Sequence, residues 1–228
     1  SGNWNTSGAS SVYTQGTGIV TFDATATITL LSTDNTFDDL TISAGTATLA
    51  TNVIVTNGLI VSGGTLAKVT FTLNMTTLTM SGGDLTSTSG AVTITGAVSI
   101  SSAASAIDFG SEAWTVSGAW TNASTDVAWD AGTGTVTFNA GAGQTMTFAG
   151  TNLSEDEFSN VTMNSTVAIA YTMATRGLRL GGRPDRRKSS RGRVSGIDRA
   201  GVHRRGAGWM DRNEAGASGP AGDRPGRR

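Results

Sequence analysis

From Leu40 to Ser102 the chain returns to one phrase, apolar-x-apolar-Ser followed by small residues. It reads Leu40-Thr41-Ile42-Ser43, then Leu59-Ile60-Val61-Ser62-Gly63-Gly64, then Leu78-Thr79-Met80-Ser81-Gly82-Gly83, then Val98-Ser99-Ile100-Ser101-Ser102. The intervals are 19, 19 and 20 residues. Within each phrase apolar and hydroxyl residues alternate with period 2, which predicts a strand with one buried and one wet face. A fixed return in this range predicts strands stacked as the rungs of a quasi-one-dimensional fold.

Further alternating segments lie between the phrases: Ala47-Thr48-Leu49, Val53-Ile54-Val55, Val69-Thr70-Phe71-Thr72-Leu73, Leu85-Thr86 and Val92-Thr93-Ile94. Asn57-Gly58, Gly63-Gly64, Gly82-Gly83, Ser89-Gly90 and Thr95-Gly96 separate them as turn signals. Upstream, Ile19-Val20-Thr21-Phe22 and Thr27-Ile28-Thr29-Leu30 carry the same alternation. Three short strands and three turns per repeat predict an all-β fold, a parallel β-helix or β-solenoid of about 20 residues per rung. Ile, Val, Leu, Phe and Met would face one continuous core, with Thr and Ser outside.

A longer repeat overlies this rhythm. Ser1-Gly2-x-Trp4 recurs as Ser117-Gly118-x-Trp120, and Gly16-Thr17-Gly18-x-Val20-Thr21-Phe22 recurs as Gly132-Thr133-Gly134-x-Val136-Thr137-Phe138, both at an offset of 116. Phe37-Asp38-Asp39-Leu40-Thr41-Ile42 recurs as Phe158-Ser159-Asn160-Val161-Thr162-Met163 at 121. These blocks predict a solenoid module over residues 1–116 and the start of a second, truncated one over residues 117–182.

Composition changes the picture after Gly182. The net charge of −1 averages two opposite halves: residues 1–175 hold 12 acidic residues and one basic residue, Lys68, whereas residues 176–228 hold 15 basic and 5 acidic. All 37 Thr precede Arg176 and all three Pro follow it. Residues 183–228 therefore read as an irregular, disordered Arg/Gly-rich tail. By register with Asn57–Gly64, the repeat should continue past Arg176-Gly177-Leu178-Arg179-Leu180-Gly181-Gly182. Reading the following codons one nucleotide later permits Asp-Leu-Thr-Val-Glu, so a frameshift is the expected origin of the tail. The chain begins at Ser1 with no basic and apolar leader, and it reads as a piece of a longer product. No apolar run approaches the ~20 residues of a membrane span, and the absence of Cys removes disulfides and thiolate metal sites.

Candidate chemistry is sparse. Asp38-Asp39, Asp84, Asp108 with Glu112, and Glu155-Asp156-Glu157 are scattered, and only Lys68 could neutralise an acidic sugar or a developing enolate. Glu155-Asp156-Glu157 could offer oxygens to Ca²⁺ but has no EF-hand or calcium-roll spacing. His203 stands alone beside Arg204-Arg205, so neither a metal site nor a triad can be built around it. Trp4, Trp114, Trp120 and Trp129 could form a sugar-stacking platform, although packing at a module junction is the simpler assignment. Thr-x-Thr pairs such as Thr25/Thr27, Thr46/Thr48, Thr93/Thr95 and Thr135/Thr137 could form an outward ladder. No catalytic, cofactor-binding or metal-ligating residue is assigned.

The blocks at Gly132–Asn139, Gln144–Thr147 and Phe158–Met163 resemble large repetitive bacterial surface or secreted proteins. The resemblance covers residues 1–182. It implies a right-handed, pectin-lyase-like or filamentous-haemagglutinin-like β-helix serving as an adhesin stalk or scaffold at the cell surface. Its partners would be neighbouring solenoid modules and cell-surface glycans, with no nucleic acid and no membrane span. The expected function is structural and adhesive, without catalysis. A polysaccharide-binding or polysaccharide-cleaving β-helix is the first alternative and an ice-binding solenoid the second. Asp38-Asp39 departs from the pattern, which has Asn in the second position.

Overall fold

Thr and small apolar residues alternate along most of the chain, and such sequences suit a pleated surface buried on one side. The computed structural model follows that rule. It describes residues 2–8, 13–30, 35–125, 127–149 and 157–164, with the strands Tyr171–Thr175, Arg179–Leu180 and Ser195–Gly196. The chain divides into two compact units, Ser1–Asp198 and Arg199–Arg228. The second lies outside the described residues, as do His203 and nearly all of the stretch after Gly182.

The first unit is all-β among its described residues. Parallel strands stack in about six turns of roughly 20 residues, so the chain is a β-solenoid. Each turn visits three faces. The first face is a seven-stranded parallel sheet: Trp4–Asn5, Ala26–Thr29, Thr46–Leu49, Thr65–Val69, Gly83–Ser87, Ser105–Asp108 and Ala128–Asp130. The second face contains Thr36–Phe37, Val92–Ile94, Ala113–Val116, Thr135–Phe138 and Asn160–Met163. The third contains Ile19–Phe22, Asp39–Ile42, Val98–Ile100, Trp120–Asn122 and Gln144–Phe148. Two long strands, Val53–Val61 and Leu73–Met80, run through both of these faces and join them into one sheet.

The recurring phrase is the third face itself. Leu40 pairs with Leu59, Leu59 with Leu78, Leu78 with Val98, Val98 with Trp120, and Trp120 with Met146. Each of these side chains points inward and is buried. The phrase-ending serines extend the ladder: the Ser43, Ser62, Ser81 and Ser101 amides donate to Phe22, Ile42, Val61 and Met80 carbonyls of the preceding rung. The Ser43, Ser62 and Ser101 hydroxyls donate to the same carbonyls, each at 3.3–3.4 Å. Past Gly82-Gly83 the corners turn in backbone that suits glycine. Gly83 has φ +73°, and a Cβ there would strike the Gly64 carbonyl below it.

Three expectations change. The alternation Val69–Leu73 reads as a strand, but the strand ends at Val69 and a turn follows, with the Phe71 amide donating to the Lys68 carbonyl at 3.2 Å. Asn57-Gly58 reads as a turn, yet the strand Val53–Val61 continues through it with a register shift between Val55 and Gly58. The Asp39 carboxylate of the preceding rung accepts from the Gly58 amide at 2.8 Å and from Asn57 Nδ2 at 3.1 Å. The Asp in that block is therefore a corner acceptor. Its counterpart Asn160 acts in the opposite sense, donating from Nδ2 to the Thr133 and Gly134 carbonyls at 3.3 and 3.1 Å.

Third, blocks that match at the long offset occupy different faces. Val20 pairs with Leu40 on the third face, whereas Val136 pairs with Trp114 on the second. Trp4 lies on the first face and Trp120 on the third. The spacing between paired residues grows from 19–20 early in the chain to 22 at Val98/Trp120 and 26 at Trp120/Met146. Similar sequence blocks thus fall on different sides as the rungs lengthen. Pairing runs across residue 116 without interruption, since Ala113–Val116 and Trp120–Asn122 are both flanked by paired strands.

Longer rungs need larger side chains to fill them. Phe109, Trp114, Trp120, Trp129, Phe138, Phe148 and Phe158 pack there with ring centroids mostly 5–6 Å apart. A separate group of Trp4, Tyr13, Phe22 and Phe37 packs at the N-terminal rungs.

Candidate functional site

Lys68, the basic residue that any acidic-sugar chemistry would need, points into the solenoid and is fully buried. Its Nζ donates to the carbonyls of Phe71 at 2.9 Å, Gly90 at 2.6 Å, and Ser89. Glu112 Oε1 lies 3.4 Å away and also accepts from the Ser87 hydroxyl. Three N–H donors, three carbonyls and a carboxylate make a cage for an ammonium ion. Burial pushes the Lys68 pKa down, while Glu112 pulls it back up by charge and hydrogen bonding. Glu112 Oε2 is buried with no hydrogen-bond partner.

This cage distorts the chain locally. Pairing between Thr65–Val69 and Gly83–Ser87 shifts register so that Ser87 lies opposite Val69, leaving Lys68 as the extra residue of a bulge. Val69 then takes φ +56°, the one non-glycine residue with positive φ among those described. For a β-branched side chain this is a strained conformation. The turn that follows carries Phe71 to the corner between the first and second faces.

At that corner lies a cavity of about 220 Å³ lined by Asn35, Thr51, Asn52 and Phe71, one or two residues from each of three successive rungs. Asn52 Oδ1 accepts from the Thr72 amide at 2.9 Å, and Thr51 Oγ1 accepts from the Leu30 amide at 3.1 Å. Each of these oxygens thus holds one backbone amide and keeps a second lone pair. The Asn52 amide protons and the Thr51 hydroxyl proton remain available to donate. Phe71 is half-buried against the core. Alternation alone places Phe71 in a strand, and nothing in the sequence marks the corner that it occupies instead.

The other singled-out acidic residues among those described hold local structure. Asp108 and Asp130, paired in register on adjacent rungs, each accept from the amide two residues on, Gly110 at 2.8 Å and Gly132 at 2.9 Å. These are Asx turns. Asp84 accepts from the Thr65 hydroxyl at 3.3 Å. Asp38 accepts from the Thr56 hydroxyl at 3.3 Å and, after burial, raises the Tyr13 pKa. Glu155 and Asp156 lie outside the described residues, and the Glu157 carbonyl accepts from Trp129 Nε1. Trp114 and Trp120 are completely buried and Trp4 and Trp129 half-buried against the core, so these rings fill the interior instead of forming a platform. Among the described residues no group of three or more His, Cys, Asp or Glu side chains could hold a metal ion, and no helix is long and apolar enough to cross a membrane.

Outward Thr columns do form. Thr93, Thr115, Thr137 and Thr162 are register partners on four successive strands of the second face. On the first face Thr27 pairs with Thr48 and Thr46 with Thr65, but Ala67 and Asp84 interrupt both columns.

Fold and site together define a parallel β-solenoid with a caged internal lysine and a small polar corner cavity. No family model, curated protein or solved structure matches the chain.

Proposed function

We propose that the chain is a structural and adhesive repeat module of an exported bacterial surface protein, with no catalysis of its own. The observation that carries this reading is the fate of Lys68. The one cation of residues 1–175 is spent inside the core on three carbonyls and Glu112, where it braces three successive rungs and cannot meet a substrate. The core supports the same reading, since buried apolar side chains run from Phe22 to Val161 in one cluster. A solenoid of this kind buries its ends only against further rungs, so neighbouring modules of the same protein are its natural partners. Cell-surface glycans are the ligand class for the adhesive part. Antibodies raised against this chain should label intact cells of the source organism; labelling that appears only after permeabilisation would overturn surface display.

The register of Thr93, Thr115, Thr137 and Thr162 favours one second reading, an ice-binding face built on that column. Thermal hysteresis in a nanolitre osmometer tests it. Freezing and melting points that coincide would dismiss it.

A further inference from the structure

We propose that the corner cavity formed by Asn35, Thr51, Asn52 and Phe71 binds a single neutral pyranose ring of a glycan. The inference rests on the adhesive half of the function proposed above and names its ligand and its site.

Chemistry of the lining selects the ligand. None of the four described lining side chains is charged, so a uronate or a phosphate would find no counter-charge among them. One aromatic ring beside two amides and a hydroxyl matches a ligand with an apolar face and a rim of oxygens. The hydrogen-bond inventory sharpens this. Asn52 Oδ1 and Thr51 Oγ1 each hold one backbone amide, so these side chains can still offer the Asn52 amide protons, the Thr51 hydroxyl proton and one lone pair apiece, a mixed set that suits hydroxyl groups. Sugar hydroxyls both accept and donate such bonds. At about 220 Å³ the cavity is below the ~300–1,000 Å³ of sites for drug-sized ligands, so it holds one ring of a chain that continues into solvent.

The protein also spends stability on this corner. Val69 is held at φ +56° in the turn that ends at Phe71, and strained backbone persists only where the surroundings over-determine it. Here the surroundings are the Lys68 cage. The ammonium grips the Phe71 carbonyl and ties it to Ser89 and Gly90 of the next rung. Phe71 is thereby held in place before any ligand arrives, which lowers the ordering cost of binding. Lys68 is a positioning residue for the site and touches no ligand.

Saturation-transfer NMR on the full 228-residue chain tests the proposal. The probes are the methyl glycosides of glucose, galactose, mannose and N-acetylglucosamine, with glucuronate as the charged comparison. At least one neutral glycoside should receive saturation at its ring C–H protons, with a dissociation constant on the order of 1 mM for one ring. Asn52→Asp is the decisive variant. It keeps an oxygen for the Thr72 amide but removes the amide donors, so binding should weaken at least about fivefold while the melting temperature holds. Phe71→Ala should abolish transfer and Phe71→Trp should retain it. Absence of transfer to every neutral glycoside, preference for glucuronate, or unchanged binding by Asn52→Asp would each overturn the site. A glycan array separates this from the broader reading: glycans bound equally by wild type and Asn52→Asp would leave adhesion standing and remove the corner from it.

Discussion

Lys68 Nζ stands 3.4 Å from Glu112 Oε1 inside the solenoid, with Ser87 of the intervening rung hydrogen-bonded to the same carboxylate oxygen. A charged pair at this depth is held by its partners, and its energetics depend on how it is broken. Lys68→Met leaves Glu112 buried without its counter-charge, and Glu112→Leu leaves the ammonium with carbonyls alone. Each single variant should lose about 3–5 kcal/mol in denaturant unfolding. The double variant should recover most of that loss, because two apolar side chains of similar volume satisfy the core without desolvated charge. A double variant as unstable as the sum of the singles would contradict the picture of a mutually dependent pair.

The same pair gives stability a defined pH dependence. Burial lowers the folded-state pKa of Lys68 from its ordinary 10.5, only partly opposed by Glu112. Between that lowered value and 10.5 the unfolded chain binds more protons than the folded one at this residue. The Lys68 contribution to stability therefore rises as pH climbs through the window and is complete above the unfolded value. Measured against the Lys68→Met/Glu112→Leu double variant, wild type should gain stability from neutral pH toward the alkaline limit. A difference that is flat or falls with pH would refute this sign.

Val69 offers a test by relief of strain. At φ +56° a valine is held in a conformation that costs roughly 1–3 kcal/mol, and glycine adopts it freely. Some of that gain returns as extra freedom of the unfolded chain. Val69→Gly should raise the thermal midpoint of the protein, since the side chain is itself exposed and contributes little packing. A lowered midpoint would mean that the side chain is worth more than the strain.

Gly83 is the converse case. Its φ of +73° and the close approach of the Gly64 carbonyl leave no room for a Cβ. Gly83→Ala should cost more than the ~1 kcal/mol of an ordinary backbone penalty, because the stacked corner must move as well. Chemical denaturation reads this directly, and Gly2→Ala, where a Cβ meets nothing within 4 Å, is the matched control.

How far the sequence could be read varies from residue to residue. Leu40, Leu59, Leu78 and Val98 announce their stacking, because inward positions of a solenoid must be apolar at one fixed return. Ser43, Ser62 and Ser101 were legible for the same reason, as residues that end each strand. The caged lysine was not. Lys68 looks like a lone surface cation until the fold brings the Ser89 and Gly90 carbonyls and Glu112 around it, from segments 21–44 positions away. Phe71 and Asn52 were equally mute, since a cavity built from three rungs leaves no mark in any one of them. Trp4 and Trp120 misled in a specific way: their blocks match, but lengthening rungs carry them to different faces.

By itself the sequence determined the class of fold, the period of the early rungs, the inward apolar register and corners such as Gly82-Gly83. Those follow from local alternation and from a repeat that every rung must obey. Only the tertiary structure decided which face each strand joins, that a charged pair is buried in the core, and where a polar cavity opens. These depend on how successive rungs superpose, and superposition is a long-range property that no single rung encodes.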